Sequence, residues 1–265
     1  MAHHTLFISD LAPETGDLAL TGDEAHHACR VKRVRPGELV TLLNGAGLRM
    51  SAEVVEAKRE LRVNVIEFDQ AEPVRPEVRI WSPAPKGPRS GDMIDALSQV
   101  GAASWTPMQC EFAGESVNRK KLERLERVAI ESAKQCGRAW LLRLEGSSRP
   151  PRFEDALRSA DPAERIVLAD ASGAPMKSHG TNGTDRTNAT KKSHESHQSH
   201  VSHASHEPHT RPVRLLIGPE GGWSAKELET ARSAGVEIAS FGPHAMRIEL
   251  AAPVAAAIVM HGAYH

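Results

Sequence analysis

The sequence predicts an α/β protein in two parts: a small all-β region, then a larger region built on a parallel sheet. Three observations predict it. Up to residue 70, short β-rich runs alternate with turn residues. From Glu77 onward, β-rich runs alternate with segments of helical period, which places helices on the faces of a parallel sheet. One expected buried strand, 213–217, opens into a glycine turn followed by a capped helix.

In chain order, 39–43 reads as a strand ending at Asn44-Gly45, a hairpin signal because both residues tolerate positive φ. Strands follow at 50–57 and 61–68, and closing such strands into a small barrel is the natural solution. The proline-bearing stretch 71–76 reads as a linker. Beyond it, 78–81 is a strand, 90–101 a helix and 104–108 a strand. A longer helix is expected over 118–136, where Leu122, Leu125, Val128 (or Ala129) and Ser132 recur at helical spacing. Further strands are expected at 140–144, 165–169, 213–217 and 236–241. Ser224 with Glu227 forms a capping box that opens a helix over 224–234. A small-residue helix closes the chain over 250–261, with Pro253 expected in its first turn, where proline is tolerated.

Residues 176–212 carry almost no apolar side chains and cannot bury enough surface to offset the entropy of ordering. A disordered, His-rich insertion is expected there, looping out of one edge of the fold. Deleting 178–210 is expected to leave the core intact. Its Ser-His repeats could chelate a divalent metal or charge below neutral pH, but a solvated insertion is the simpler reading, and no metal site is assigned.

Formal net charge is −1, which excludes a wholly basic nucleic-acid coat and restricts any RNA contact to a local patch. Aromatic residues are 4%, too few for a base-stacking platform. The three cysteines, Cys29, Cys110 and Cys136, are odd in number and widely spaced, so neither a disulfide framework nor a cysteine zinc site fits. No signal peptide and no apolar run of membrane-spanning length is present, which gives the expectation of a cytoplasmic protein without a membrane partner.

The stretch 216–222, Leu-Ile-Gly-Pro-Glu-Gly-Gly, is the most informative. Glycines let a backbone approach a ligand closely, the next helix supplies free N–H groups, and α/β sites open at the carboxyl ends of strands. The turn lacks the lysine of a phosphate loop and the spacing of a dinucleotide fingerprint. Taken alone, it leaves open a ligand mouth or a tight strand–helix connection.

Three further blocks, in order along the chain, add to it: HHACRVKRVRPGELVTLLNGAG at 26–47, ESAKQCGR at 131–138, and FGPHAMRIELA at 241–251. Together with the glycine turn they resemble the RsmE family of SPOUT-type RNA methyltransferases, with Gly242, Arg247, Glu249 and Ala251 matching the family pattern. The resemblance implies a PUA-like RNA-binding β-barrel over 1–70 and a methyltransferase domain over 77–265 tied in a trefoil knot and paired as a homodimer. It implies S-adenosyl-L-methionine bound by Leu216, Ile217, Gly218, Pro219, Glu220, Gly221 and Gly222, with Phe241, Gly242, Met246 and Arg247. The implied reaction is methylation of uridine N3 in 16S rRNA of the small ribosomal subunit.

Uridine N3 carries a proton, so such a site must accept it or stabilise the anion that its loss leaves. Arg247 is the candidate for stabilising that charge; a salt bridge within the knot is its structural alternative. Glu249 could take the proton or fix Arg247; a carboxylate favouring a helix start is its alternative. Arg30, Lys32, Arg33 and Arg35 alternate along an expected extended segment and, with Arg138, are the candidate RNA contacts; a solvated strand edge competes. Lys120, Lys121, Arg124 and Arg127 mingle with Glu123 and Glu126 and read as a solvated helix face.

Three stretches depart from the family. Ile248 and Leu250 stand where it has threonines, Gln99-Val100-Gly101-Ala102 stands where it has Glu-Leu-Gly-Val, and Cys110-Glu111-Phe112 replaces an Arg-Ser pair. These departures keep two other readings open: a non-catalytic rRNA-binding or assembly relative, and a methyltransferase of the same fold acting on another RNA position.

Overall fold

A computed structural model describes residues 4–58, 60–113, 117–146, 149–176 and 211–261. The expected disorder of the His-rich stretch falls on 177–210, outside the described residues.

The first part contains β1 (His4–Phe7), β2 (Gly16–Leu20), α1 (Asp23–His27), a π-helical turn (Ala28–Lys32), β3 (Leu39–Leu43), β4 (Leu48–Ala57) and β5 (Leu61–Gln70). The strands form one mixed sheet in the order β1-β3-β4-β5-β2, with β1 parallel to β3 and the other pairs antiparallel. Alternation carries the packing: Leu48, Met50, Ala52 and Val54 turn inward, and Arg49 and Glu53 turn outward. Fully buried Leu6, Leu42, Met50 and Val63 fill the core beneath. The Asn44 side chain accepts from the N–H groups of Ala46 (2.8 Å) and Leu48 (3.0 Å), and Gly45 takes φ +75°, closing the expected hairpin.

The all-β expectation for this part is corrected by α1 and the π-helical turn. Buried Ala25, Ala28 and Val34 draw 23–34 onto the core, and Arg33 bends the chain in the left-handed region at φ +54°.

The second part comprises β6 (Val78–Ser82), α2 (Arg89–Val100), β7 (Ser104–Pro107), α3 (Arg119–Cys136), β8 (Arg143–Leu144), α4 (Phe153–Arg158), β9 (Arg165–Pro175), β10 (Val213–Ile217), α5 (Ala225–Ser233), β11 (Glu237–Ser240) and α6 (Ile248–His261). All six strands are parallel, in the order β11-β9-β10-β6-β7-β8. Helices cover both faces, which is why β10 is buried along its whole length. Val213, Leu215 and Ile217 pack on the side of α2, α3 and α6, whereas Leu216 packs with Phe153 and Trp223 on the side of α4 and α5.

α3 starts where Asn118 accepts from the Lys121 N–H (2.9 Å) and stops at Gly137, which caps it in the left-handed region. Strand 140–144 shrinks to two residues, because Trp140 instead bridges to Ala46 and donates its indole N–H to Ala71 O (2.8 Å). α6 begins two residues earlier than expected, so Pro253 lies in its second turn and leaves the Glu249 carbonyl without its helical donor.

β9 and β10 are parallel neighbours in the middle of the sheet, so the chain leaving one must return to the sheet's other end before starting the next.

Candidate active site

The carboxyl ends of β10 and β11 and the middle of β9 converge on one cavity of about 290 Å³. That is near the lower end of small-molecule sites, roughly 300–1,000 Å³. Ile217 ends β10, and Gly218-Pro219-Glu220 and Gly222 continue as one wall. The Gly222 N–H donates to Pro219 O (2.9 Å), and φ +75° at Gly222 is a conformation that other residues adopt only under strain. A Cβ at Gly218 would lie 2.9 Å from the Trp223 ring, so that position must be bare. The Trp223 indole N–H donates to Ala169 O (2.9 Å), and its ring packs on Phe153 at 5.2 Å between centroids. The turn is thereby fastened to the middle of β9.

Ser240, Phe241, Gly242, His244 and Met246 form the opposite wall, and Ala251 of α6 lies at its foot. Ala169, Asp170 and Ala171 of β9 supply the third side. The lining is largely apolar, with Asp170, Glu220 and His244 as its ionisable groups. An apolar slot with backbone-exposing glycines at strand ends suits a nucleoside with a compact charged centre, and so fits the cofactor that the resemblance implies.

Eight of the eleven expected cofactor residues line this cavity: Ile217, Gly218, Pro219, Glu220, Gly222, Phe241, Gly242 and Met246. Leu216 does not; it is fully buried under the turn. A Cβ at Gly221 would face Phe112 at 3.2 Å rather than the cavity. Arg247 is exposed just outside, with no ion pair or side-chain hydrogen bond among the described residues, so the salt-bridge alternative has no partner there. Glu249 sits in the first turn of α6, with Oε1 3.5 Å from the Arg89 guanidinium.

Arg89, which the sequence reading missed, donates to Glu220 Oε1 at 2.6 Å. It therefore ties the glycine turn to the start of α6. The bond from Glu220, with Glu249 close by, holds its guanidinium more firmly protonated than an isolated arginine. Asp170 was missed as well. Its position one residue beyond the expected strand 165–169 was the available signal. Its Oδ1 accepts from the Ser172 N–H at 2.8 Å.

The candidate RNA contacts separate. Arg30, Arg33 and Arg35 are exposed, but around the π-helical turn and its exit rather than along an extended segment. Lys32 is half-buried, donates to Thr5 O (2.9 Å) and lies 3.9 Å from Glu24. Arg138 donates to the carbonyls of Ser98 (2.8 Å), Gly101 (3.4 Å) and Ala102 (2.6 Å), where it caps the carboxyl end of α2. Of the departing positions, Ile248 is buried in the core and Leu250 points to solvent. The Glu111 N–H donates to Glu227 Oε1 (2.9 Å), linking the 110–112 loop to α5.

Among the described residues no helix is long and apolar enough to cross a membrane, and no metal-binding cluster occurs. Residues 72–260 match the family described as RNA methyltransferase domain, and residues 20–66 the RNA methyltransferase PUA domain. The ribosomal RNA small subunit methyltransferase E of Mycobacterium bovis is 31% identical over 257 residues, covering 94% of this chain and 88% of its own. That of Synechocystis is 24% identical, covering 93% and 75%. The fold is shared with the Neisseria gonorrhoeae enzyme of the same name, solved bound to S-adenosyl methionine, at a TM-score of 0.75 with 20% identity over 98% of this chain and 97% of that one. The chain belongs to the ribosomal RNA small subunit methyltransferase E family of RNA methyltransferases.

Proposed function

We propose that the protein transfers the methyl group of S-adenosylmethionine to N3 of a uridine in 16S rRNA of the small ribosomal subunit. The observation that carries this reading is the single cavity between the glycine turn at 217–222 and the 240–246 segment. We also propose that residues 1–70 act as a PUA-like RNA-holding barrel, that 71–76 link it to a methyltransferase domain over 77–265, that the last segment is threaded as a trefoil knot, and that two copies pair through this domain.

The cofactor supplies an already activated methyl group, so the chain's work is alignment and charge. Gly218, Gly222 and Gly242 open the backbone to a nucleoside, and Phe241 and Met246 shield it from water. Arg247, exposed beside the cavity and without an ion pair among the described residues, stabilises the uridine anion that forms as the N3 proton passes to solvent water. Glu249, committed to Arg89, positions the wall rather than taking the proton. Neither Ile248 nor Leu250 lines the cavity, so the missing hydroxyls leave its lining intact, which favours an active enzyme over a degenerate relative.

Incubating the protein with labelled cofactor and purified small subunits lacking the modification tests the reading. Label recovered as N3-methyluridine in 16S rRNA is the expected result. Label at another atom or in another RNA would replace the substrate assignment, and no cofactor binding would remove the reading altogether.

A further inference from the structure

A second groove, of about 520 Å³, lies between the 87–88 loop and the first turns of α3. Its walls are Gly87, Pro88, Asn118, Lys120, Lys121 and Arg124. Three of the six are cations, and no acidic side chain lines it among the described residues. Lys121 Nζ donates to Pro85 O (3.4 Å), which fixes one wall to the other. Lys120 and Arg124 are exposed and make no ion pair or side-chain hydrogen bond among the described residues.

The placement of charge on α3 is uneven. Lys120, Arg124 and Arg127 follow one another at spacings of four and three, forming a basic stripe, whereas Glu123 and Glu126 lie on the adjoining strip, with Glu123 paired to Arg119 (3.0 Å). Like charges at these spacings destabilise a helix, and exchanging one with a neighbouring glutamate would turn repulsion into attraction. The stripe presents a row of positive charge to a ligand of opposite charge. Lys120 and Arg124 are exposed on the groove's lining, an arrangement suited to a polyanion passing along it.

The groove is also at the right end of the molecule. α3 follows β7, so its first turn stands at the carboxyl ends of the strands, where the cavity opens. Pro88 forms the groove's wall, and the next residue, Arg89, bonds Glu220 of the cavity wall.

We infer that this groove holds the phosphodiester backbone of the substrate RNA next to the target nucleotide, with Lys120 and Arg124 as phosphate contacts. The inference rests on the RNA methyltransferase reading above. It assigns to the first turns of α3 a role that was expected of Arg30, Lys32, Arg33, Arg35 and Arg138.

The test is the double variant Lys120→Ala/Arg124→Ala of the full chain, with unmethylated small subunits as the probe. Each phosphate contact contributes about 0.7–0.9 to the slope of log affinity against log salt. The slope is therefore expected to fall by roughly 1.5, and affinity at low salt to drop on the order of ten-fold. KM should rise far more than kcat falls, and cofactor affinity, read by calorimetry, should stay at the wild-type value. The charge-keeping pair Lys120→Arg/Arg124→Lys should restore the slope. Removing Arg158 and Arg232, two cations on α4 and α5, should leave it unchanged. A wild-type slope and KM in the double variant would overturn the groove assignment while leaving the methyltransferase reading in place. A wild-type protein that binds cofactor but neither binds nor methylates small subunits would overturn both.

Discussion

The Arg89 guanidinium and the Glu220 carboxylate meet at 2.6 Å across 131 residues of sequence, and Glu249 closes the same cation from α6 at 3.5 Å. The glycine turn and the last helix are thus held by one side chain that does not itself line the cavity. The group is half-exposed, so its effect on global stability is small. Its effect on the turn is direct. Arg89→Ala is expected to weaken cofactor binding roughly ten-fold while the melting temperature shifts by only about 1–2 °C, measured by calorimetric titration and thermal unfolding. Glu220→Gln, which keeps a hydrogen-bond acceptor, should lie between wild type and Arg89→Ala. Unaltered cofactor affinity in Arg89→Ala would show that the turn holds its shape without the tie.

Arg247 has the opposite character, being exposed, without an ion pair among the described residues, and adjacent to Met246 of the cavity wall. Removing a donor that acts only on charge developed in the transition state lowers turnover without loosening the ground state. Arg247→Ala is expected to lower kcat by on the order of 10²-fold, with cofactor affinity changed less than about three-fold. Single-turnover methylation beside calorimetry checks this, and an unchanged kcat would take Arg247 out of the mechanism.

The parts of the site that the sequence exposed are those built from neighbouring residues. A buried strand running into Gly218-Pro219-Glu220-Gly221-Gly222, then a Ser224–Glu227 cap, is a local pattern, and the structure keeps it. Arg89 and Asp170 escaped because their relevance comes from contacts made across the sheet. Arg138 sits in a stretch that matches the family, yet its guanidinium turns to carbonyls left open where α2 ends at Gly101, and nothing in the local sequence signals that destination. The turn at 23–32 escaped because alternating cations mimic a strand, while buried Ala25 and Ala28 set a helical course.

Arg214 lies at 4% exposure beneath the sheet, paired with the equally buried Glu164 at 2.7 Å, donating to Ala156 O at 2.6 Å and stacked over the Trp81 ring at 4.5 Å. Removing Arg214 leaves the buried Glu164 carboxylate only the Arg79 guanidinium, 3.6 Å away, to offset its charge. Arg214→Met is therefore expected to cost about 3–5 kcal/mol, and the double replacement with Glu164→Gln appreciably less than the sum. Chemical denaturation of the two single variants and the double variant checks it. Additive losses would mean that the two groups do not interact.

The cysteines should separate by reactivity. Burial, followed by the charges of Glu227 and Glu154, pushes the Cys110 thiol well above its ordinary range, and burial raises Cys29 as well. A raised value leaves the thiol protonated at neutral pH, and the protonated form is not the nucleophile. Cys136 is exposed at the end of α3. Iodoacetamide at pH 7.5 is expected to alkylate Cys136 first and Cys110 only after unfolding, as peptide mass spectrometry would read. Native-state labelling of Cys110 at the rate of Cys136 would contradict the packing around it.

At the connection from β9 to β10, topology reverses what composition suggests. Arg165 pairs with Val213, and β9 then runs on until Pro175 pairs with Ser240, close to the level of the cavity. On the β11 register, that level is about five residues above Val213, or roughly 17 Å at ~3.3 Å per residue. Deleting 178–210 would leave five links between Pro175 and Val213. Fully stretched, they reach about 17 Å, with the strands themselves in the direct path. Complete deletion is therefore expected to abolish the fold or to lower the melting temperature by more than about 10 °C, whereas replacing 178–210 with some fifteen Gly/Ser residues should change it by only a few degrees, since loop length costs little once the span is met. Circular dichroism melts of the two variants decide the matter. A deletion variant that melts like wild type would mean that β9 and β10 are not joined as parallel neighbours.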